Sequence, residues 1–214
     1  MDSTLRITEI FYSLQGEANT VGLPTVFIRL TGCPLRCVYC DTAYAFTGGE
    51  KCSITQIMER VAEFNTRYVT VTGGEPLAQS ACHDLMSALV NAGYHVSLET
   101  SGALDVSQVD PRVIKVMDLK TPSSGEQARN RLSNLECLNA QDQIKFVIGD
   151  QVDYEWSKQQ LIKYRLAERC QVLFSPVMGN CSPTELANHI LADQLPVRFQ
   201  IQLHKYLWDD ARGK

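Results

Sequence analysis

Short runs rich in β-branched and apolar residues alternate along the chain with runs that carry apolar residues at helical spacing. This alternation predicts strand–helix–strand units, which place neighbouring strands parallel to each other in one sheet. About six such units can be counted, fewer than the eight of a complete barrel. We therefore predict an α/β fold with a mostly parallel sheet, in a single domain over residues 1–214. The predicted strands are residues 5–13, 25–30, 68–72, 94–99, 113–118, 143–148, 171–174 and 198–203, and the predicted helices are residues 53–61, 82–92, 127–138, 154–169 and 183–192.

Charge and hydropathy exclude several classes of protein. With 20 basic and 24 acidic residues the net charge is −4, which does not fit a strongly basic nucleic-acid-binding protein. No apolar run approaches the ~20 residues that a membrane-spanning helix needs. The first residues also lack the basic start and apolar run of a secretory signal. We therefore expect a cytoplasmic protein that binds neither nucleic acid nor membranes.

The segments that follow the predicted strands contain mostly small, polar and metal-binding residues. They are residues 31–33, 73–76, 100–102, 119–120, 149–150, 175–176 and 204–205. In parallel α/β folds ligands bind at the carboxyl ends of the strands. The pattern therefore predicts a binding site along one rim of the sheet.

Three of the eight cysteines lie close together, with the spacing C-x3-C-x2-C, after the second predicted strand. They are Cys33, Cys37 and Cys40. In a reducing compartment such thiols are more readily ligands than disulfides. Thiolates bind zinc or iron–sulfur clusters, and a structural zinc ion would need a fourth ligand such as Cys52 or a distant histidine. Three thiolates on a four-iron cluster would instead leave one iron open, and the spacing alone leaves both alternatives open.

The cysteine spacing, followed by Gly-Gly-Glu-Pro after the next strand, resembles the radical S-adenosylmethionine (SAM) superfamily. In that superfamily three cysteines hold a [4Fe-4S] cluster and SAM binds its fourth iron. An electron from the cluster cleaves SAM to a deoxyadenosyl radical, which abstracts a hydrogen from the substrate. The resemblance implies that Cys33, Cys37 and Cys40 are the cluster ligands.

Further segments narrow this resemblance to one family. They are residues 13–17, 40–42, 99–102, 118–125 and 202–208. Together they resemble the 7-carboxy-7-deazaguanine synthases of queuosine biosynthesis, from about residue 5 to the C-terminus. The resemblance implies a partial (β/α)6 barrel, a homodimer, Mg²⁺ and an electron donor such as flavodoxin. It also implies a small pterin substrate, 6-carboxy-5,6,7,8-tetrahydropterin, which is converted by hydrogen abstraction, ring contraction and loss of ammonia while SAM is regenerated.

The resemblance also assigns site residues. Mg²⁺ would bind at Thr42. The substrate would bind at Leu14, Gln15, Gly16, Glu17, Arg29 and Thr100, and SAM at Gly73, Gly74, Glu75, Gly102, Gln143, Ile144, Lys145, Ser175 and Pro176. The residue chemistry agrees, because Arg29 suits the substrate carboxylate as a bidentate donor, while Gln15 and Glu17 suit the donor and acceptor edge of the ring.

Two other functions share the cysteine run. An activase that makes a glycyl radical on a partner protein has a similar size, but residues 13–17 and 40–42 favour the synthase. A protein that binds zinc or an iron–sulfur cluster without catalysis is the other. The colour of anaerobically purified protein distinguishes an iron–sulfur protein, which is brown, from a zinc protein, which is colourless.

Overall fold

The structure is a computed structural model that describes residues 3–209 and 211–214. The strands in these ranges form one nine-stranded sheet with the order β3-β1-β2-β4-β5-β6-β7-β8-β9. The strands are β1 (Thr4–Leu14), β2 (Pro24–Leu30), β3 (Glu50–Ser53), β4 (Tyr68–Gly73), β5 (His95–Thr100), β6 (Ile114–Asp118), β7 (Gln143–Ile148), β8 (Gln171–Pro176) and β9 (Arg198–Phe199). The helices are α1 (Ile54–Ala62), α2 (Cys82–Asn91), α3 (Gln151–Lys163), α4 (Pro183–Ala192) and α5 (Leu203–Trp208).

The sheet is parallel from β2 through β4 to β9, and only its β3–β1–β2 end is antiparallel within the described ranges. Helices α1 to α4 lie in the connections between parallel strands. The predicted α/β class with a mostly parallel sheet is confirmed. None of the helices in the described ranges combines the length and apolar character that crossing a bilayer requires.

Local signals set the starts of the helices. Ser53 caps α1 by accepting from the backbone N–H of Gln56, while the Gln56 side chain accepts from the backbone N–H of Ser53. This reciprocal capping box satisfies two N–H groups that the first turn leaves unpaired. Asp150 caps α3 and Ser182 caps α4 through one bond each, in which the side-chain oxygen accepts from the backbone N–H three residues later. The predicted start of the helix after Ser53 is therefore confirmed.

Side chains alternate between the two faces of the sheet, as strand geometry requires. On one face apolar residues form two clusters: β1, β2, β4 and β5 pack with α1 and α2, and β6 to β8 pack with α3 and α4. On the other face polar and charged side chains line a cavity, among them Arg29, Thr72, Glu99 and Lys145. Burial of the apolar face fixes the register, so it also fixes which side chains reach the cavity.

The helix predicted over residues 127–138 is wrong. The segment instead forms two short 3₁₀ turns, Gln127–Arg129 and Leu132–Cys137. Asparagine side chains explain the difference, because they bond to backbone groups of neighbouring loops rather than leaving the segment to form its own helix. Asn130 bonds to both backbone groups of Lys120, and Asn134 donates to the carbonyls of Gly102 and Leu104.

The C-terminal part also differs from the prediction. The strand predicted over residues 198–203 is only Arg198–Phe199, and helix α5 begins at Leu203. The predicted helix over residues 154–169 begins earlier and ends at Lys163, since Arg165 adopts a left-handed conformation with φ of 51°. Strand β3 was not predicted, because its four residues follow a Gly-Gly turn and carry charges.

Candidate active site

A cavity of about 720 Å³ opens at the carboxyl ends of the central strands. Its walls come from β2, β4, β5, β6 and β7, from the cysteine loop and from the C-terminal segment. The structure brings most of the predicted site residues to it. They are Leu14, Gln15, Gly16, Glu17, Arg29, Cys33, Cys37, Cys40, Thr42, Gly73, Gly74, Thr100 and Lys145. The position agrees with the expectation of a site on one rim of the sheet.

The three cysteines of the loop are half-buried free thiols on the cavity wall. Burial raises the pKa of the Cys33 and Cys37 thiols, while the nearby Lys120 ammonium opposes that shift. Among the described residues no three histidine, cysteine or acidic side chains gather closely enough to hold one metal ion. A cubane cluster does not require its ligands to lie within bonding distance of one ion, because each thiolate binds a different iron. The donor set therefore fits a [4Fe-4S] cluster better than a single ion.

Cys52 cannot complete a zinc site with these thiols. It lies on β3 in the hydrophobic cluster on the helix-covered face of the sheet, 7% exposed, while the other three cysteines line the cavity. A structural zinc site needs four ligands at bonding distance. The zinc alternative that relies on Cys52 is therefore wrong.

Gly73 and Gly74 pack against the backbone that leads into the cysteine loop. A side-chain Cβ at Gly73 would collide with the backbone of Leu30, and one at Gly74 with the carbonyl of Gly32. The Gly74 N–H donates to Leu30 at 3.1 Å, and the Glu75 N–H donates to Gly32 at 2.8 Å. Only glycine permits this approach. The double glycine thus anchors the cysteine loop, besides any contact that it makes with a ligand.

Glu75 and Thr100 form a buried polar junction between the ends of β4 and β5. The Glu75 carboxylate is fully buried and accepts hydrogen bonds from the Thr100 hydroxyl, the Ser101 backbone and hydroxyl, and the Leu77 backbone. Glu75 does not line the cavity, whereas Thr100 and Ser101 do. The Glu75 side chain therefore supports the cavity wall from behind.

The remaining residues predicted to contact SAM lie beside the cavity rather than on its wall. They are Gly102, Gln143, Ile144, Ser175 and Pro176. The Ile144 side chain belongs to the hydrophobic cluster on the opposite face, so only its backbone can serve a ligand. The buried Asp118 Oδ1, which lies on the cavity wall, has no hydrogen-bond partner among the described residues. An orphaned acceptor on this wall fits a ligand that carries donors, as SAM does.

A buried ion pair joins residues that were assigned to different ligands. The Lys145 Nζ lies 2.5 Å from one oxygen of Glu17, 3.8 Å from Asp118, and close to Glu99. Burial alone would raise the pKa of Glu17, but the Lys145 ammonium outweighs it and holds that pKa below its usual range. Burial raises the pKa of Glu99 despite Lys145, and the charge of Glu17 adds to the rise. Lys145 is therefore the central cation of an acidic pocket.

Lys145→Met is expected to lower the free energy of unfolding by about 3–5 kcal/mol at neutral pH, because it leaves buried carboxylates uncompensated. In the wild type the low pKa of Glu17 contributes stability above its unfolded pKa, and that stability disappears as pH falls through the folded value. Without Lys145 the buried carboxyl prefers its neutral form, so the deficit should shrink toward acid pH.

Urea denaturation between neutral and acid pH measures this deficit. Lys158→Met is the matched control, since it breaks a surface pair with Asp193, and it should change the unfolding midpoint far less. Equal losses of stability in the two variants would show that the buried Lys145–Glu17 pair contributes no more to stability than a surface ion pair does.

The Arg29 guanidinium lies on β2 and faces the cavity. Its Nε donates to the Glu9 carboxylate at 2.7 Å, and the rings of Phe11 and Tyr44 flank it at 5.5 Å and 5.8 Å. One of its five N–H groups is used by Glu9, and no other hydrogen bond from it is found within the described ranges. The terminal nitrogens of the guanidinium are therefore free to bind an anion.

Thr42 follows the cysteine loop and lies on the cavity wall beside Asp41. It occupies the N-cap position of a 3₁₀ turn, yet its side chain caps no backbone group that the structure describes. Its hydroxyl instead donates to Asp41 at 2.8 Å, and Asp41 also pairs with Lys205 at 3.1 Å. Since the proton points to Asp41, the oxygen lone pairs remain available, and oxygen is the ligand that Mg²⁺ prefers.

Several cavity residues were not predicted to belong to the site. They are Tyr44, Glu99, Asp118 and Arg212. Glu99 and Asp118 stand at strand ends, where a search for charged residues would have found them. Lys120 also lines the cavity, and it lies in segment 119–120, which was predicted to form part of the rim. Arg212 lies 4.2 Å from the centre of the Tyr44 ring, so the C-terminal segment closes one side of the cavity. No local pattern signals this contact, because it joins residues far apart in the chain.

A parallel sheet with a three-cysteine loop at its rim is the arrangement of a radical SAM enzyme. The sequence profile of the Radical SAM superfamily matches residues 27–118. The crystal structure of QueE from Escherichia coli superposes with a TM-score of 0.79 at 24% identity, over 94% of this chain and 95% of that one. That likeness shows the fold.

Two relatives identify the family. A 7-carboxy-7-deazaguanine synthase from Chlorobaculum tepidum is 45% identical over 99% of this chain and 98% of its own length. One from Koribacter versatilis is 41% identical over 95% and 97%. The chain therefore belongs to the 7-carboxy-7-deazaguanine synthase family, and it is a radical SAM lyase.

Proposed function

We propose that this protein converts 6-carboxy-5,6,7,8-tetrahydropterin into 7-carboxy-7-deazaguanine with loss of ammonia. The observation that carries the proposal is that the three-cysteine loop and the free face of Arg29 open into one cavity. A radical generated at the loop would thus meet a carboxylated substrate held by the guanidinium. Membership of the synthase family supports the same reaction.

The proposed roles follow from the chemistry of the cavity residues. Cys33, Cys37 and Cys40 would hold the [4Fe-4S] cluster, and the cluster together with SAM would supply the radical chemistry that abstracts hydrogen from the substrate. Arg29 binds the substrate carboxylate. Gln15 donates to Thr70 at 3.0 Å, so its amide is held rigidly at the cavity wall.

Glu17 contributes through its remaining lone pairs. One of its oxygens accepts from Lys145 and the other from Gln202 at 2.8 Å, yet an ionised carboxylate has about four acceptor positions. We infer that it accepts from the donor edge of the pterin. Lys145 keeps Glu17 ionised, so the ion pair holds the Glu17 carboxylate as the acceptor for the pterin. The same pair holds the Lys145 side chain in the cavity, where it is proposed to contact SAM.

The proposed function is tested by anaerobic incubation of reduced protein with SAM and carboxytetrahydropterin, followed by mass analysis. The expected product has the mass of 7-carboxy-7-deazaguanine and requires both SAM and reductant. Intact pterin after complete reconstitution of the cluster would refute the proposal. A homodimer and a flavodoxin-type electron donor rest on the sequence resemblance and stay predictions. The cytoplasmic location expected from the hydropathy pattern also stays a prediction.

Mg²⁺ is proposed to bind at Thr42 together with substrate oxygens and water. Thr42→Ala is expected to abolish most of the stimulation of turnover by Mg²⁺ while the iron content stays unchanged, because a protein oxygen is lost from a site with few protein ligands. Titration of turnover with Mg²⁺ measures the effect. Thr47→Ala is the matched control, since Thr47 lies outside the cavity wall. A Thr42→Ala variant that responds to Mg²⁺ as the wild type does would leave Thr42 a turn residue.

A further inference from the structure

Glu9 and Arg29 face each other across the antiparallel pair β1–β2. The two residues are partners in the strand register, so their side chains project from the same face of the sheet. The Arg29 Nε lies 2.7 Å from Glu9 Oε1, and the side chains are only 16% and 21% exposed. The contact uses the inner nitrogen of the guanidinium. It leaves the two terminal nitrogens for a ligand in the cavity.

Tyr44 holds Glu9 from the other side. Its hydroxyl donates to the same Glu9 Oε1 at 2.7 Å, and Tyr44 belongs to the 3₁₀ turn Ala43–Phe46 that follows the cysteine loop. The phenol O–H is the donor in this contact, because a carboxylate oxygen can only accept. One carboxylate oxygen therefore receives both the guanidinium and the phenol.

This arrangement restricts how the guanidinium can turn. The Phe11 and Tyr44 rings limit its movement on two sides, and the Phe11 ring is itself stacked on Phe27 with 4.9 Å between centroids. An arginine whose fork is held in advance loses less conformational freedom when it binds an anion.

We propose that Glu9 and Tyr44 are positioning residues that aim the terminal nitrogens of Arg29 into the cavity and so select a substrate that carries a carboxylate. The inference rests on the proposed function, because it takes Arg29 as the carboxylate-binding group. It adds that recognition of the substrate carboxylate depends on the hydrogen bonds among Glu9, Tyr44 and Arg29, which lie outside the contact between Arg29 and the substrate. Neither residue needs to touch the substrate.

Tyr44→Phe tests the role of the hydroxyl, since it keeps the ring, the Arg212 contact and the net charge. It is expected to raise KM for carboxytetrahydropterin about tenfold, as loss of a hydrogen bond to a charged group predicts. The inhibition constant of tetrahydropterin without the carboxyl group should stay unchanged. The matched control is Tyr12→Phe, on the same strand pair but outside the cavity wall, and it should leave both constants unchanged. Equal weakening of both ligands by Tyr44→Phe, or no change in KM, would overturn the inference.

Glu9→Ala gives a second test, in which the direction of the change in KM distinguishes two roles for Glu9. If Glu9 only repelled the substrate carboxylate, its removal would lower KM; if it positions Arg29, its removal raises KM. We expect a rise, and we expect Glu9→Ala to add nothing further in an Arg29→Gln background, because the double-mutant cycle then lacks the group being positioned. Additive effects, or a lower KM, would contradict the role.

Wild-type protein that makes no product refutes the proposed function, whereas normal turnover with an unchanged KM in Tyr44→Phe refutes the inference alone.

Discussion

Replacement of Cys33, Cys37 and Cys40 by alanine is expected to abolish both iron binding and reductive cleavage of SAM. All three thiols line one cavity and are free of disulfides. Since the side chains are only half-buried, their truncation should leave the fold intact, and circular dichroism should show it.

Iron and sulfide analysis after anaerobic reconstitution, with the absorbance of the cluster, measures this loss. A variant with Cys137 and Cys181 replaced by alanine is the matched control, because both are half-buried thiols outside the cavity. It should keep its cluster. If the triple variant still holds a full complement of four irons per chain, the assignment of the ligands is wrong.

Arg29→Lys is expected to reduce kcat/KM for carboxytetrahydropterin by about 100-fold or more. A lysine ammonium keeps the charge but cannot make the bidentate contact or the bond to Glu9 in the same geometry. Losing a charge-assisted contact in a closed site costs about 2–5 kcal/mol, and a loss of about 3 kcal/mol within that range already exceeds 100-fold. Substrate-free cleavage of SAM should persist, since the cysteine loop is unchanged.

Steady-state kinetics with varied pterin measures the change. Arg60→Lys is the control, because Arg60 makes a comparable contact with Glu50 on the surface, and its kinetics should equal those of the wild type. An unchanged KM in Arg29→Lys would remove Arg29 from the substrate site.

The sequence predicted the parts of the fold that local signals determine. Alternating β-branched and helical runs predicted the parallel strands, and Ser53 with Gln56 predicted the start of α1. The prediction failed at residues 127–138, because periodicity does not reveal that Asn130 and Asn134 bond to distant backbone groups.

The candidate site was predictable where its residues are near each other in the chain. The cysteine loop is one such case. The contact between Glu17 and Lys145 is not, since the two residues are 128 positions apart and meet only when β7 enters the sheet. Likewise the need for glycine at Gly74 could be expected, but its close neighbour, the Gly32 carbonyl, follows only from the pairing of β2 with β4.

The number of product molecules formed per SAM tests the central claim most directly. Reduced, reconstituted protein is incubated with excess carboxytetrahydropterin and limiting SAM, and 7-carboxy-7-deazaguanine, remaining SAM and deoxyadenosine are quantified together. We expect many product molecules per SAM, with SAM largely recovered, because the rearranged substrate radical would take the hydrogen back from deoxyadenosine in each turnover. Deoxyadenosine that accumulates one for one with product, or without any pterin-derived product, would contradict the account.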